Sequence, residues 1–575
     1  MCVLNKRSTI WCFRRTAYLG RKGASPISIV QRDDGGNKMR LLLRVTAATI
    51  VVFAGLCGLA WADEGRDPVE SVAAESASPN RTISIGSTTV DGKQWQRIAF
   101  RPEIPFGNFA VALDFELFVT SEGNVSSRGW KFGNGTEFAN SVYRKIYYVR
   151  YGTEGDPLYA RIGALDDVTL GYGFVMNGYR NTLDYPGTKN LGMNFEVRRA
   201  SGLVIEGMMN NFLDISTGGP VVGVRVGRRL TDRLEVGGSL VVDFDQYGGL
   251  ADSDGDGVPD AIDRFPNNSA YSADTDRDGI PDELDRDADG DGRIDIDFGG
   301  VQLTQAQRDS IDDIMTRAGQ EPFLWDIDGT RRQQLFNKNT VGADRYGVLG
   351  FDVGYHLIEE EYLGLTLYGQ FATSIDDDDG NRAVGYGFGA PGFALAMGPL
   401  RGRIEYRHIR NEFLPEYFDN LYDHKRAVAD FASGTVITKD SMLDSLSGQM
   451  LNGVFAEASM SVGGFARVYG NYQYLHGTKS MQQLAANAGL DSELLKYVPK
   501  LSRVEGFYSK TNIGMYDEGF FAPSVDTFYG YNVGFELGGG VEIIWSTRWI
   551  YQPVGGDLSD VEAQKQINFA TVISF

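Results

Sequence analysis

The sequence predicts an all-β protein: a transmembrane antiparallel β-barrel of roughly 16–18 strands that carries an acidic loop insertion. Apolar and polar residues alternate with a period of two in many segments. The 575-residue chain is rich in glycine (72 residues) and in aromatic residues (12%), and its mean hydropathy is only −0.24. A helical membrane protein would instead show several apolar runs of about 20 residues, and this chain has one candidate run, at 41–62.

The alternation is clearest between residues 108 and 119. One face carries Phe109, Val111, Leu113, Phe115, Leu117 and Val119, and the other carries Asn108, Ala110, Ala112, Asp114 and Glu116. Segments 191–198, 349–355 and 531–537 repeat the pattern. Because successive side chains of a strand point to opposite faces, each segment lies between an apolar and a polar medium. A soluble β-sandwich would alternate in the same way, but ionisable residues on strands of about 9–13 residues favour a membrane barrel.

The connections between the predicted strands alternate between tight and long. The tight ones lie near 199–202, 229–232, 357–361, 395–399 and 461–464, and the long ones near 210–220, 374–383, 411–450 and 475–501. Outer-membrane barrels have short periplasmic turns and longer external loops, so the large insertion at 244–345 is predicted to lie outside the cell. One long connection, 511–526, falls on the short side in this strand count.

The N-terminal 62 residues have the pattern of an export signal. Two arginines precede the apolar run Val45–Leu59, and Ala60-Trp61-Ala62 provides the small residues of a cleavage site. We predict translation from Met39 and cleavage after Ala62; a single membrane anchor is the alternative. All three cysteines lie before residue 62, which excludes disulfides, catalytic thiolates and cysteine-bound metals from the rest of the chain.

The chain ends on an alternating segment in which Ile567, Phe569, Ile573 and Phe575 share one face. This ending resembles the C-terminal signal of Gram-negative outer-membrane β-barrels, which the bacterial barrel assembly machinery reads. The resemblance implies an outer-membrane location, contact with outer-membrane lipid, recognition of the strand that ends in Phe575, and possible homo-oligomers.

These patterns divide the chain into five parts. They are the N-terminal extension and signal peptide (1–62), a mature N-terminal segment (63–92), the first part of the barrel (93–243), the insertion with a short helix at 304–318 (244–345), and the second part of the barrel (346–575). The glycine-, asparagine- and serine-rich stretch 121–142 is a candidate for a loop folded into the lumen.

Most of the negative charge lies in the insertion. Residues 252–297 contain 15 Asp and one Glu against four Arg, a net charge of −12 within a total of −21. Such a block repels itself unless cations neutralise it, and it argues against a nucleic-acid partner.

The acidic residues of the insertion repeat the pattern D-x-D-x-D-G-x-x-D three times. The candidate metal ligands are Asp252, Asp254, Asp256, Asp260 and Asp263; Asp274, Asp276, Asp278, Asp282 and Asp285; and Asp287, Asp289, Asp291 and Asp295. Carboxylates two residues apart can direct several oxygens at one centre, and the glycine at the sixth place permits a sharp turn. Ca²⁺ binds six to eight oxygens at about 2.3–2.6 Å, so the array is predicted to bind Ca²⁺. A solvated, disordered acidic loop is the alternative.

The spacing of the array resembles that of thrombospondin type 3 repeats, which bind calcium ions and have almost no apolar core. It differs from an EF-hand because Asp263 and Asp285 occupy the place of the bidentate glutamate, and because Pro259 and Pro281 remove a backbone N–H. The resemblance covers about 46 residues and implies calcium binding, not the task of the barrel.

No catalytic pattern accompanies the barrel, so we predict that the protein is not an enzyme. The chain has four histidines and no G-x-S-x-G motif. The residues predicted to face the lumen have mixed charge: Arg198, Arg225, Arg403, Arg407, Arg467 and Arg548, with Asp114, Glu116, Glu196, Glu235, Glu405 and Glu542. They would suit a wet, porin-like channel for small polar solutes or a lumen closed by salt bridges. The alternative function is calcium-dependent surface adhesion or a structural role, with the barrel as an anchor.

Overall fold

The computed structural model describes residues 82–574, except 91–92, 120–144, 183–189, 218, 296–302, 321, 323–334, 377–383, 431–432, 463–464, 514–518, 539–540, 555–556 and the single residues 479, 491, 496 and 499. The described residues belong to one compact unit, 59–575. The predicted signal peptide and the stretch 121–142 lie outside them. Within the described residues, no helix is both long enough and apolar enough to cross a bilayer.

Most of the described residues form strands. In chain order the strands are β1 (Thr82–Val90), β2 (Lys93–Arg101), β3 (Glu103–Phe106), β4 (Phe109–Leu113), β5 (Phe115–Val119), β6 (Ile146–Tyr151), β7 (Leu158–Gly163), β8 (Gly192–Arg198), β9 (Leu203–Met209), β10 (Val221–Arg229), β11 (Leu234–Asp243), β12 (Tyr346–Glu360), β13 (Leu363–Asp376), β14 (Tyr386–Met397), β15 (Leu400–Arg410), β16 (Ala427–Asp430), β17 (Thr435–Thr438), β18 (Met450–Val462), β19 (Ala466–His476), β20 (Met481–Leu490), β21 (Leu501–Ile513), β22 (Thr527–Gly538), β23 (Val541–Val554) and β24 (Asp557–Ser574). The helices are Asp214–Thr217, Gln305–Arg317, Lys338–Val341, Tyr422–Lys425 and Ser492–Leu495, with 3₁₀ turns at Gln246–Gly249 and Ser441–Leu446.

The main sheet closes on itself. Its neighbours pair antiparallel around the ring, and β1 pairs both with β2 and with the last strand, β24. The sheet has 22 strand segments. β2 and β3 are separated only by Pro102, and β4 and β5 only by Asp114, and the two pairs form one continuous hairpin. Counting each interrupted pair as one strand leaves 20 strands among these segments. The predicted antiparallel β-barrel is confirmed.

The ring contains more strands than the roughly 16–18 estimated from the sequence. β1 lies in the segment before residue 93, where the sequence placed the start of the barrel. β20 lies inside the predicted loop 475–501, because its sequence MQQLAANAGL alternates only weakly. Once β20 is counted, the connection 514–526 falls on the same side as the other long loops, and the ten-residue connection 491–500 falls on the side of the tight turns.

The apolar face of the strands points outward and the polar face inward. In β4 and β5, Phe109, Phe115 and Leu117 are exposed, whereas Asp114 and Glu116 are buried. The same outward exposure recurs around the ring, at Val224, Val226, Phe351, Val353, Phe388, Ile404, Val454, Val468, Phe535, Trp545 and Phe569. A large exposed apolar surface of this kind is typical of a protein that contacts an apolar phase.

Two of the long connections fold into the barrel. We call residues 164–182, between β7 and β8, the first inner segment, and residues 411–449, between β15 and β18, the second inner segment. The second contains a small hairpin, β16–β17, that pairs only within itself. Both segments contact inward residues of the wall: Tyr172 stacks on Tyr368 of β13, with ring centroids 4.4 Å apart.

The inner segments and the wall share one hydrophobic core. The segments contribute Leu165, Val168, Leu170, Phe174, Val175, Met176, Tyr179, Phe413, Leu414, Tyr417, Phe418, Tyr422, Leu443 and Leu446, and the wall contributes residues such as Val221, Tyr346, Val348, Ile409, Leu451 and Leu475. The two segments also bond to each other: the amide of Asn177 donates to the carbonyl of Phe418, and that of Phe418 to the carbonyl of Val175.

The insertion between β11 and β12 contains the predicted short helix, at Gln305–Arg317. Thr304 and Gln307 form a capping box at its start, and Gly319 follows its end with a left-handed φ of +71°. These caps explain the helix boundaries. The helix buries none of its residues.

Candidate functional site

The first charged cluster of the lumen centres on Arg225 of β10. Its guanidinium lies 2.8 Å from Glu206, 3.1 Å from Glu235 and 2.7 Å from Asp352, which belong to β9, β11 and β12. The Arg225 side chain is only 5% exposed. Gly237 leaves room for it, because a Cβ there would lie 2.6 Å from both Arg225 Nη2 and Asp352 Oδ2.

The second charged cluster centres on Arg407 of β15 and joins the wall to the second inner segment. Arg407 is fully buried and lies 2.6 Å from Glu405 and 3.0 Å from Glu416. Its guanidinium also stacks 3.8 Å above the ring of Phe455 and donates to Gln473. Glu416 belongs to the inner segment, so this ion pair fixes that segment to the wall.

Arg403, two inward positions before Arg407 on β15, extends the same cluster. It lies 3.2 Å from Glu457 and 3.6 Å from Glu416, and it donates to the carbonyl of Tyr172 in the first inner segment. The side chain of Gln483 on β20 donates to the other oxygen of Glu416, at 2.9 Å. Glu416 is thus held from two strands, and Arg403 holds both inner segments.

Carboxylates outnumber arginines in the two clusters. Arg225, Arg403 and Arg407 face Glu206, Glu235, Asp352, Glu405, Glu416 and Glu457. The side chains of Glu206 and Glu457 are 20% and 23% exposed, which is more than the arginines they contact. Glu206 and Glu457 are therefore the most solvent-accessible members of the two clusters.

The sequence identified only part of these clusters. It named Arg225, Arg403, Arg407, Glu235 and Glu405. It missed Glu206 and Glu457, which the alternation of β9 and β18 could have indicated, and Glu416, which lies in a loop without periodicity. Other predicted inward residues lie elsewhere on the wall: Asp114 and Glu116 are buried, Glu196 pairs with Arg198, Glu542 accepts from Ser502, and Arg467 and Arg548 are half-buried.

The second inner segment spans the lumen. On one side the Tyr422 hydroxyl donates to Asp243 of β11 at 2.8 Å. On the other, Lys425 lies 2.7 Å from Asp526, next to β22, and donates to Thr511 of β21 at 3.0 Å. Between these contacts, burial raises the pKa of Asp423 to about 7, although Arg426 lowers it.

The aspartate array forms three clusters of carboxylates. Each brings together, within 4.8 Å, oxygens of three residues at alternate positions: Asp252, Asp254 and Asp256; Asp274, Asp276 and Asp278; and Asp287, Asp289 and Asp291. These nine residues are among the predicted ligands.

The remaining predicted ligands have other partners or positions. Asp260 accepts from the amide and hydroxyl of Ser253, and Asp282 accepts in the same way from Thr275. Asp295 accepts from the amide of Ala288. Asp263 and Asp285 are both buried and each accepts one amide, from Phe265 and Asp287.

The three loops share one backbone conformation. The amides of Gly257, Gly279 and Gly292 each donate to the first aspartate of their loop, at 3.0–3.1 Å. The amides of Asp260, Asp282 and Asp295 each donate to the carbonyl that precedes the loop. The three glycines have φ of +96°, +92° and +85°, the region that glycine adopts without strain. This repetition favours a folded array over a merely solvated acidic loop.

Three buried carboxylate oxygens in the array have no hydrogen-bond donor among the described residues: Asp254 Oδ2, Asp263 Oδ2 and Asp274 Oδ1. Asp263 is only 5% exposed and Asp274 only 8%. Burial, and then the neighbouring Asp256, raises the pKa of Asp263 to about 6. Buried carboxylates are costly unless a cation or donor pairs with them, and an all-oxygen set of this kind fits Ca²⁺.

No protein-family profile matches this chain, and no curated protein matches it. Among solved structures it is similar to Pseudomonas aeruginosa OpdQ, with 7% identity over 85% of this chain and 94% of that chain and a TM-score of 0.28. It is also similar to P. aeruginosa OccK3 (OpdO), with 8% identity over 86% and 94% and a TM-score of 0.31. A third is the siderophore receptor PirA from Acinetobacter baumannii, with 9% identity over 86% and 80% and a TM-score of 0.29.

Proposed function

We propose that the protein is a Gram-negative outer-membrane β-barrel that forms a narrow channel for small polar solutes and carries a calcium-binding array at its external mouth. The closed antiparallel ring with an apolar outer face and charged inner face carries the proposal. A closed barrel satisfies every backbone hydrogen bond within the sheet, which lipid demands.

The outer face supports the membrane location. Large side chains such as Phe351 (52% exposed), Ile404 (51%) and Val226 (47%) lie on separate strands around the ring. In water, exposure of each side chain would cost about 25 cal/mol per Å² of apolar surface. Contact with lipid removes that cost. The orientation follows from the connections, since all those of more than ten residues share one rim.

The inner face supports a polar path that is narrowed rather than wide. The two inner segments occupy part of the lumen, while the carboxylates of Glu206 and Glu457 remain partly exposed. Rings of charged side chains are the usual means by which a pore favours one class of solute. A barrel that served only as an anchor would not need water at these carboxylates.

The first test is single-channel conductance of the refolded mature chain in a planar bilayer, with and without millimolar Ca²⁺. We expect stable conducting steps of small size, because the inner segments narrow the lumen. A protein that is folded, as judged by its β-sheet circular dichroism and its heat-modifiable mobility, yet silent would contradict the channel.

The array supports the calcium part of the proposal. Its carboxylates lie within 4.8 Å of one another in each loop, and a divalent cation would relieve their repulsion. Asp252, Asp254 and Asp256 would hold one ion, and the corresponding triplets of the other two loops would hold the others. Extracellular calcium modules bind with dissociation constants of about 10⁻⁴–10⁻³ M, and we expect affinity in that range.

Calcium binding can be measured by isothermal titration calorimetry of the purified protein in detergent. Replacing all three carboxylates of one cluster, in the variant Asp274→Asn/Asp276→Asn/Asp278→Asn, should lower the stoichiometry and leave binding at the other loops. The control is Asp309→Asn, an exposed acid of the helix Gln305–Arg317, which should bind as the wild type does. Equal stoichiometry in both variants would contradict the assignment.

The alternative function is calcium-dependent surface attachment, with the barrel as an anchor. The hydrophobic core that the inner segments form inside the barrel favours it, since a filled lumen transports nothing. A silent barrel whose surface binding is lost on chelation would support this alternative. Recognition of the C-terminal strand by the assembly machinery, a homo-oligomeric state and the absence of enzymatic activity stay predictions.

A further inference from the structure

We infer that calcium binding at the first loop of the array holds the second inner segment in place inside the barrel. This regulation rests on the proposed function, because it needs both the calcium site and the inner segment of a channel. A continuous path of contacts runs from Asp256, in the first carboxylate cluster, to Tyr417, in the lumen.

The first calcium loop is hydrogen-bonded to the helix Lys338–Val341 and to Asn337 before it. The side-chain amides of Asn337 and Asn339 both donate to the carbonyl of Asp256, at 3.1 and 2.8 Å. The amide of Lys338 donates to the carbonyl of Gly257 at 2.7 Å. We call Asn337, Lys338 and Asn339 the clamp. Asp256 directs its carboxylate at the cluster and its carbonyl at the clamp, so the cluster and the clamp must be ordered together.

An ion pair joins the clamp to the rim of the barrel. The ammonium of Lys338 lies 2.6 Å from Asp245, whose side chain is 1% exposed. Asp245 caps the 3₁₀ turn Gln246–Gly249 by accepting from the amide of Tyr247 at 3.1 Å. The position of this turn therefore depends on the clamp.

The 3₁₀ turn Gln246–Gly249 contacts the second inner segment. The hydroxyl of Tyr417 donates to the buried side chain of Gln246 at 2.9 Å. Gly249 lies so close to Arg426 that a Cβ there would be 2.7 Å from Nε of the guanidinium. A second route runs beside the first, because the amide of Phe336 donates to the carbonyl of Gly434, between β16 and β17, at 2.8 Å.

The physical cause of the coupling is the charge of the loop. Without a cation, three carboxylates within 4.8 Å repel each other, which favours an open loop and leaves the carbonyl of Asp256 unfixed. With Ca²⁺ the loop closes and the clamp binds an ordered carbonyl. The segment is held more firmly with Ca²⁺ than without, by the amount of binding free energy that the contacts transmit.

The test compares the wild type with the variant Asn337→Ala/Asn339→Ala, which keeps every carboxylate of the array. Hydrogen exchange of the full mature protein in detergent, read by mass spectrometry over 411–449, is measured with and without Ca²⁺. We expect Ca²⁺ to slow exchange of this segment about tenfold in the wild type and to have little effect in the variant. The control is Asn267→Ala, at an exposed asparagine of the insertion, which should respond as the wild type does.

Calorimetry on the same samples, with Ca²⁺ alone, separates this inference from the proposed function. Wild type that binds no Ca²⁺ would overturn both. Wild type that binds Ca²⁺ without protecting 411–449, or a double variant that keeps the protection, would overturn the inference and leave the calcium site intact. A second variant, Lys338→Met, removes the ion pair with Asp245 and keeps both asparagines. It should lose part of the effect, so the test stands even where the double variant folds poorly.

Discussion

Replacing residues 412–448 with an Asn-Gly turn should raise the single-channel conductance several-fold and leave the barrel folded. The deletion is geometrically simple because Arg410 and Met450 are paired residues of neighbouring strands, and the amide of Asn411 already donates to the carbonyl of Gln449 at 3.0 Å. An Asn-Gly turn connects antiparallel strands at this separation.

The ring should survive because it does not use the deleted residues. The hairpin β16–β17 forms a sheet of its own, and β15 pairs directly with β18. The deletion instead removes stabilising contacts from residues that line the lumen. Wall residues Tyr346, Ile409 and Leu451 lose apolar contacts, and Arg407 loses Glu416. We therefore expect a lower melting temperature together with a wider path.

Conductance in planar bilayers, measured beside liposome-swelling rates for small polar solutes, checks the expectation. The control replaces residues 303–320, which include the exposed helix Gln305–Arg317, with a short Gly-Ser linker and should leave conductance unchanged. If the shortened barrel folds and conducts no better than the full chain, the second inner segment does not limit the path. If it conducts while the full chain is silent, the segment acts as a closed plug.

The sequence predicted the wall of the barrel well because each strand there lies between two media. The alternation in β4, β5, β10 and β12 arises because the outside is apolar and the inside is polar. It can be recognised from the local sequence alone. Where the alternation is weak, as in β20, the prediction missed a strand and placed a loop there instead. The three loops of the aspartate array were predicted for a similar reason, since their carboxylates, glycines and turns are all local.

The inner segments could not be predicted in this way. Residues such as Phe174, Phe413 and Phe418 are buried because the barrel encloses them, not because their own sequence is periodic. The anchor Glu416 stands in an irregular loop, and its partners Arg403 and Arg407 belong to the preceding strand, β15. Alternation identified those arginines as inward but could not say that a loop acid would neutralise them.

Replacing Arg407 with methionine should destabilise the folded protein by about 3 kcal/mol, the lower end of the range for breaking a buried ion pair. Arg407 has no exposed side-chain surface and lies 2.6 Å from Glu405. Its loss leaves that carboxylate, and in part Glu416, without a counter-charge. Glu405 keeps the amide of Gln370 at 2.9 Å and Glu416 keeps Arg403 at 3.6 Å, which is why we expect the lower end. Unfolding in urea, followed by tryptophan fluorescence in detergent, measures the change.

Two further variants separate the loss of charge pairing from the loss of packing. Arg229→Met removes a pair with Glu359 whose side chains are 31% and 42% exposed, and it should cost less than about 1 kcal/mol. The triple variant Arg407→Met/Glu405→Gln/Glu416→Gln removes the stranded charges and should recover much of the lost stability. If the triple variant is as unstable as Arg407→Met, the contact of Arg407 with the ring of Phe455, at 3.8 Å, contributes more than the ion pairs. If Arg407→Met costs no more than Arg229→Met, the cluster does not anchor the second inner segment, and the wall holds it through the apolar core alone.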